Sequence, residues 1–319
     1  MYSQHPDFSW SHSRDRALAE CARAYYWRYY GSHNGWLQDA PETSRLAYAL
    51  KQLTSFPMIV GTAVHACARD FALAVRHGSA RPSFEAMLAR VSDALNRAVI
   101  GSHHRGAFLR DPKRVVMLQD AWYAGRGDAS GLAPALTKAR KCLRELENSA
   151  LWEELEQCPP EWVLVPEGPE AFVHEGWAVY AGPDLVYRPD GQRVVILDWK
   201  TGDASDAELQ IPLYALYCRA VLGIPFREGE WFGRVINLST GADTGQEIMR
   251  MDLMQAAERV RQSVGAMHAL LDGIDSNVPR PMEEFPVAEP ERRRMCQYCP
   301  FLALCESELG IGSSDYVGL

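Results

Sequence analysis

The spacing of apolar positions changes character about halfway along the chain. Residues 11–30 read as one helix with an aromatic-rich end, closed by the break from Gly31 to Gly35. A second helix is predicted from about Gly61, with Thr62 as its N-cap, because Val64, Cys67, Ala68, Phe71 and Val75 recur at helical spacing. The pattern stays helical from 83 to about 155. Past Glu161 it turns to strands at 162–165, 171–173 and 177–186, the last interrupted by Gly182-Pro183. Residues 193–199 form a short apolar run with a polar end, the signature of a buried strand that carries a functional tip. A helix at 206–222, strands at 231–238 and 247–251, and a helix at 252–271 follow. A Pro- and Glu-rich surface linker at 279–290 then leads into a cysteine-rich end. Helices, a strand meander and then strand–helix–strand predict an α/β fold with a helical N-terminal part. Four consecutive segments are expected within one compact unit: 1–60, 61–160, 161–278 and 279–319.

Composition narrows this only slightly. The 319 residues are 47% hydrophobic and 23% charged, which excludes a mostly disordered or collagen-like chain. A net charge of −8 argues against a general nucleic-acid coat. It leaves room for a local basic path, since steering depends on where charges sit. Two basic clusters could form one: Arg105, Arg110, Lys113 and Arg114, then Lys138, Arg140, Lys141 and Arg144. His103 and His104 stand beside the first, with a solvated loop as their expected setting. Residues 1–10 carry no apolar signal stretch, and no uninterrupted apolar run approaches the ~20 residues that span a bilayer. A cytoplasmic protein with no membrane partner is therefore expected.

The eight cysteines should not be read as a disulfide framework in such a chain. Cys67, Cys142, Cys158 and Cys218 lie singly in apolar surroundings, as small buried hydrophobes do. Cys296, Cys299 and Cys305 crowd together. No G-x-x-x-x-G-K-[ST], G-x-S-x-G or H-E-x-x-H is present, so any helicase would be a separate chain and the commonest hydrolase signatures are missing.

The chemistry concentrates in GPDLVYRPDGQRVVILDWKTG, residues 182–202. Asp198 and Lys200 are two apart on a predicted strand and so share a face. Asp184 can converge on Asp198 if the two strands pair through the turn at 189–192. Two carboxylates can hold a hard divalent cation, and an adjacent lysine can offset charge on a phosphoryl group. A solvated surface hairpin would show the same D-x-K. Gln210 and Tyr214, four apart on the next helix, share a face that would border the site. Ser205 and Glu208 have capping-box spacing, while Pro212 makes an irregular helix start expected. His65, at the edge of its helix's apolar stripe, is a candidate nitrogen ligand or an ordinary boundary residue.

Taken in order, G-T-A-V-H (61–65), G-P-D (182–184), D-W-K-T-G (198–202) and Q-x-x-x-Y (210–214) resemble the PD-(D/E)XK nucleases. The closer likeness is to the RecB-like branch, which includes the CRISPR-associated RecB-like exonucleases and the AddB nuclease domain. The resemblance implies a restriction-endonuclease-like core, a central mixed sheet flanked by helices. It implies that His65, Asp184, Asp198 and the backbone carbonyl of Trp199 bind Mn²⁺ or Mg²⁺. Lys200 would be the catalytic lysine, with Gln210 and Tyr214 orienting it and contacting DNA. The implied activity is metal-dependent hydrolysis of single-stranded or end-exposed DNA, possible settings being repair, phage defence or spacer capture, beside a separate helicase or defence-system subunit.

Iron–sulfur members of that branch pair an N-terminal cysteine with C-x-x-C-x5-C, which Cys21 and Cys296, Cys299 and Cys305 match. Four thiolates suit either a 4Fe–4S cluster or zinc. Pro183 departs from the small or β-branched residue of many relatives. A further acidic ligand could come from Glu161, Glu167, Glu170 or Glu175. Two other readings remain: a non-catalytic DNA-binding or scaffold subunit on a nuclease fold, and a zinc-stabilised endonuclease.

Overall fold

The computed structural model describes residues 3–125, 129–166 and 170–310. The elements run β1 (Ser9–Ser11), α1 (His12–Glu20), α2 (Ala22–Tyr26), α3 (Glu42–Leu50), α4 (Phe56–Arg76), α5 (Phe84–Ser102), α6 (Arg105–Arg110), α7 (Gln119–Ala124), α8 (Leu132–Glu147) and α9 (Leu151–Glu156). Next come β2 (Val163–Leu164), β3 (Ala171–His174), β4 (Trp177–Tyr180), β5 (Leu185–Tyr187), β6 (Val194–Lys200), α10 (Ala207–Ala220), β7 (Trp231–Asn237), β8 (Ala242–Glu247), α11 (Arg250–His268), β9 (Leu271–Gly273), β10 (Val278–Pro279) and α12 (Glu306–Leu309). The chain divides into two compact units, each built from separated stretches: 1–55, 96–129 and 262–319 in unit 1, 56–95 and 130–261 in unit 2. This division cuts across the four consecutive segments read from the sequence.

Unit 2 holds a five-stranded mixed sheet ordered β2-β5-β6-β7-β8. β6 pairs antiparallel with β5 and parallel with β7, so it is the strand at which direction switches. Its residues are buried on both faces up to Trp199, which explains the unbroken Val-Val-Ile-Leu run. The outer strand β8, Ala-Asp-Thr-Gly-Gln-Glu, is exposed along its whole length, a polar edge that discourages pairing with other chains. The parallel β6–β7 pair requires a crossover, and α10 provides it, packing on both strands. A Cβ on Gly233 would collide with Ile211, so glycine on β7 is what lets α10 lie this close.

On the opposite face, Val195, Leu197 and Trp199 of β6 join Val60, Val64, Cys67, Ala68 and Phe71 of α4 and Ala139, Cys142 and Leu143 of α8 in one core. Trp152 of α9 sits between Phe71 and Trp199, with ring centroids 4.3 and 6.2 Å away. Burying such a residue is worth about 3–5 kcal/mol against alanine. Among the described residues α4 alone is long and apolar enough to cross a bilayer. Its apolar stripe, however, is the part buried in this core. The lone cysteines Cys67, Cys142, Cys158 and Cys218 are all buried, as expected.

Unit 1 has a separate core in which Trp27, Leu50, Phe108, Trp122, Phe301 and Leu302 take part. Several boundaries differ from the sequence reading. α4 begins at Phe56, five residues before Gly61, which places Thr62 inside the helix rather than at its cap. The single helix expected over 11–30 is interrupted by Cys21 in extended conformation (φ −163°, ψ 117°) and ends in a π-turn at Trp27–Gly31. The strand expected at 247–251 lies earlier, at Ala242–Glu247, and α11 is already under way by Arg250. Over 11–30 the local pattern is continuous while the backbone is not, whereas α4 is a continuous helix that simply starts earlier.

Candidate active site

The site is assembled where β6 ends and α4, β5 and α10 approach it, all within unit 2. Period-2 alternation puts Asp198 and Lys200 on the face toward α10. Lys200 Nζ donates to Gln210 Oε1 at 2.6 Å and lies 2.7 Å from Asp198 Oδ2. The Tyr214 hydroxyl stands 3.3 Å from both Asp198 Oδ1 and Gln210 Oε1, so its one proton serves one of the two at a time. Gln210 and Tyr214 reach the site together because they are one helical turn apart.

Asp184 precedes β5, and its N–H bonds to Leu197 O at 3.2 Å, which fixes it against β6. Its Oδ2 accepts the Trp199 backbone N–H at 2.8 Å, and its Oδ1 lies 3.2 Å from His65 Nδ1. α4 delivers that histidine by close approach. A Cβ on Gly61 would meet Thr201 Oγ1 at 3.2 Å, so glycine keeps the helix tight against the end of β6. The structure thus brings these residues together as two bonded groups, His65 with Asp184 and Asp198 with Lys200, Gln210 and Tyr214, whose charges act on one another. Trp199 joins through its backbone N–H while its ring faces the core.

The electrostatics follow from crowding. Burial, then the neighbouring Asp184 charge, push the Asp198 carboxyl above the usual carboxylate range, against the pull of Lys200 and His65. For His65, burial alone would lower its pKa. The hydrogen bond to Asp184 and the charges of Asp184 and Asp198 outweigh this and leave it raised. Burial and the same two carboxylates hold the Tyr214 phenol neutral, well above its ordinary range. Asp198 Oδ2 is buried, and its close partner is the Lys200 ammonium at 2.7 Å. Two carboxylates, one of them buried, beside an imidazole are a donor set that fits a hard divalent cation. Among the described residues no three His, Cys, Asp or Glu side chains stand at closed metal-site spacing. Here the carboxylates face internal partners, Lys200 and His65, instead.

The capping box expected at Ser205 and Glu208 is not formed. Ser205 instead bonds to Asp203, its N–H to Oδ1 at 3.0 Å and its hydroxyl to Oδ2 at 2.8 Å. Asp206 takes the N-cap position without a side-chain cap. Glu161, Glu170 and Glu175 are exposed and are not among the groups acting on Asp198, His65 or Tyr214; Glu167 lies outside the described residues. Sequence reasoning missed Lys138 as a neighbour: a Cβ on Gly202 would meet its Nζ at 3.8 Å, so one cation of the second basic cluster stands beside the site. It also missed Arg234 of β7, which bonds Glu154 and Tyr187 at 2.7 Å each and Asp243 at 2.6 and 2.9 Å. No motif marks that cross-strand network.

The four thiols are gathered in unit 1. Arg23, two residues from Cys21, is buried. Its Nε donates to Phe285 O at 2.7 Å, its N–H to Pro286 O at 3.1 Å, and its guanidinium pairs with Glu308. Arg292 reaches back to Ala19 O at 2.9 Å. Tyr123 donates to Pro300 O at 2.6 Å and accepts from Ala303 N–H at 3.2 Å. These bonds draw the two ends of unit 1 together around the cysteines. Burial first, then the nearby thiols, raise Cys305 and Cys299 to about 12, and Cys296 is raised by burial and Cys21. The four sulfurs are therefore within electrostatic reach of one another, and a four-thiol donor set fits a soft metal or an iron–sulfur cluster.

A search of curated proteins finds none that matches the chain. The family model described as the PD-(D/E)XK nuclease superfamily matches residues 9–306, which takes in the carboxylates, the lysine, the helix that carries Gln210 and Tyr214, and all four thiols. On that match, and with a mixed sheet flanked by helices beneath it, the chain belongs to the PD-(D/E)XK nuclease superfamily.

Proposed function

We propose that the chain is a metal-dependent deoxyribonuclease of the RecB-like kind that works on single-stranded or end-exposed DNA, with an iron–sulfur cluster on its four thiols. The observation that carries the reading is the convergence at the end of β6 of His65 and Asp184, 3.2 Å apart, with Asp198 and Lys200, 2.7 Å apart. Asp184, Asp198, His65 and the Trp199 carbonyl would hold the divalent ion. When bound, such an ion polarises the phosphate and lowers the pKa of water. A histidine in the donor set favours Mn²⁺ over Mg²⁺. Lys200, steered by Gln210 and Tyr214, offsets the charge that grows on the phosphoryl oxygens during in-line attack by water. Tyr214 stays protonated and serves as a donor. Lys138 gives the incoming phosphate a further cation near Gly202.

Cys21, Cys296, Cys299 and Cys305 would hold the cluster as a structural clasp on unit 1. Anaerobically purified protein with broad absorbance near about 400 nm supports iron, and colourless protein with bound zinc opposes it. Activity is tested on linear and circular single-stranded DNA with Mn²⁺ and with Mg²⁺. Loss of linear strand alone marks an exonuclease, and loss of both marks an endonuclease. If neither strand is cut with either ion, the scaffold reading replaces this one.

A further inference from the structure

A cavity of about 760 Å³ opens on unit 2 and shares no lining residue with the carboxylate site. Its walls come from β3, from the C-terminal end of α10 with the turn that follows, and from the start of α11. Phe172, Leu216, Ile224 and Leu253 make them apolar, and no Asp or Glu is among the lining residues. Two arginines are, Arg219 of α10 and Arg250 of α11, and among the described residues neither has a carboxylate partner. His174, also in the wall, keeps its Nε2 buried without a hydrogen-bond partner. Val173 and Met254 are 75% and 58% exposed, so apolar surface continues out of the cavity. The strand in its wall adds a second feature. Among the described strands β3 pairs with β4 alone. A two-residue turn joins them at Glu175 and Gly176, both at positive φ (49° and 90°). Such a turn makes His174 and Trp177 a hydrogen-bonded pair, so the next pair, Val173 and Ala178, is not bonded. Val173 therefore turns its N–H and C=O away from β4, and among the described residues nothing bonds to them. Three consecutive residues of β3, Phe172, Val173 and His174, line the cavity, so it runs along this open edge rather than over one face.

We propose that the open edge of β3 docks an extended, acidic segment of another protein by strand addition. The guest lies beside β3 and pairs its main chain with Val173. One of its apolar side chains enters the cavity, and its carboxylates meet Arg219 and Arg250. Main-chain bonds supply affinity in such a mode, while the cavity and the two charges choose the sequence. A nucleic-acid strand answers the arginines, but it has no amide ladder for Val173 and no aliphatic side chain for the apolar walls. The inference does not rest on the nuclease reading, since none of these residues belongs to the carboxylate site.

The test is fluorescence polarisation of the full chain with short labelled peptides of Thr, Val, Leu and Phe that carry two Glu at varied positions. The same set is made with Gln or with Lys in place of Glu. Saturable binding is expected within the acidic set, with affinity falling from Glu to Gln to Lys. Arg219→Gln and Arg250→Gln should each weaken the best acidic peptide about two- to fivefold and leave its Gln counterpart unchanged. Ala220→Trp, at an exposed lining position of α10, should block binding without moving the melting temperature. The ladder is read from the guest: a scan of single N-methyl amides along the peptide should show losses of about tenfold at every second position. No saturable binding in the acidic set, or equal binding by the Lys set, would overturn the proposal. A scan without alternation would overturn strand addition and leave a ligand held by the cavity alone. A single-stranded oligonucleotide, titrated in EDTA, that loses affinity in both arginine variants while no peptide binds would assign the arginines to nucleic acid instead. A parent dimer that Ala220→Trp converts to monomer in sedimentation would give the edge to a second copy of the chain.

Discussion

The carboxylate site of unit 2 and the thiol site of unit 1 are built on opposite principles. The first sits on a central strand whose register with β5 and β7 fixes Asp198 and Lys200, and on a helix whose periodicity fixes Gln210 and Tyr214. Its polar atoms are largely satisfied by one another through Lys200–Gln210, Tyr214–Asp198, Asp184–Trp199 and His65–Asp184. The second sits on an extended residue between two short helices and on 3₁₀ turns at Pro290–Tyr298 and Leu302–Leu304. No sheet holds it. Burial raises the thiols of Cys296, Cys299 and Cys305, so these three act as apolar packing until something replaces their protons. A site made by regular structure keeps its geometry without its ion. A site made by turns depends on long-range bonds such as those of Arg23, Arg292 and Tyr123.

The sharpest break of this comparison is a pair of substitutions read in two ways. Lys200→Ala is expected to lower cleavage by about 10²–10³-fold. The circular-dichroism spectrum and unfolding midpoint should change little, because the sheet register does not depend on the ammonium. Cleavage at the unmutated rate would show that the site has been misassigned. Cys299→Ser is expected to act the other way. It should destabilise unit 1 by about 2–5 kcal/mol, the range for losing a structural staple, and remove metal or iron measured by elemental analysis. Should the serine variant keep its metal and its unfolding midpoint, the clasp is not what holds unit 1.

The same contrast explains what was legible in the sequence. Asp198 and Lys200 could be placed by strand alternation and Gln210 and Tyr214 by helical repeat, both local rules, whereas Asp184 depended on β5 pairing with β6 through the turn at 189–192. His65 was visible as a candidate, but only the approach of Gly61 to Thr201 explains why α4 carries it to Asp184. The capping box at Ser205 had the right spacing and did not form, since Asp203 offered Ser205 a nearer acceptor. Arg23, which draws Cys21 toward the C-terminal cysteines, has no sequence signature: its partners Phe285 and Glu308 are more than 250 residues away. The two units were not legible either, because both are discontinuous. Non-local closure is what a single sequence conceals.

A smaller effect sharpens the account of unit 2. Arg234 is 18% exposed and ties β7 to Glu154 of α9, Tyr187 of β5 and Asp243 of β8. Arg234→Met would leave Glu154 and Asp243, which are themselves well exposed, to be rehydrated, so the cost should fall below that of a fully buried pair. About 1–3 kcal/mol is expected from chemical denaturation, with cleavage nearly retained. A loss of activity larger than the loss of stability would mean that the sheet transmits strain to Asp198, and that the site is less self-contained than its hydrogen bonds imply.

The smallest effect comes from unit 1 and turns on sign. Lys51 is held near 8 in the folded chain, below the ordinary lysine value of 10.5 that it regains on unfolding. Between those values the unfolded chain binds more protons than the folded one, so this residue makes stability rise as pH goes from about 8 to 10.5. Below pH 8 both states carry the charge, and the full penalty of burying it and crowding it against Arg28, Arg14 and Lys113 remains. Unfolding midpoints of the parent and of Lys51→Met should therefore differ most at neutral pH, with the variant higher, and converge toward about pH 10. Parallel curves across that range would mean that Lys51 is not repelled by its neighbours.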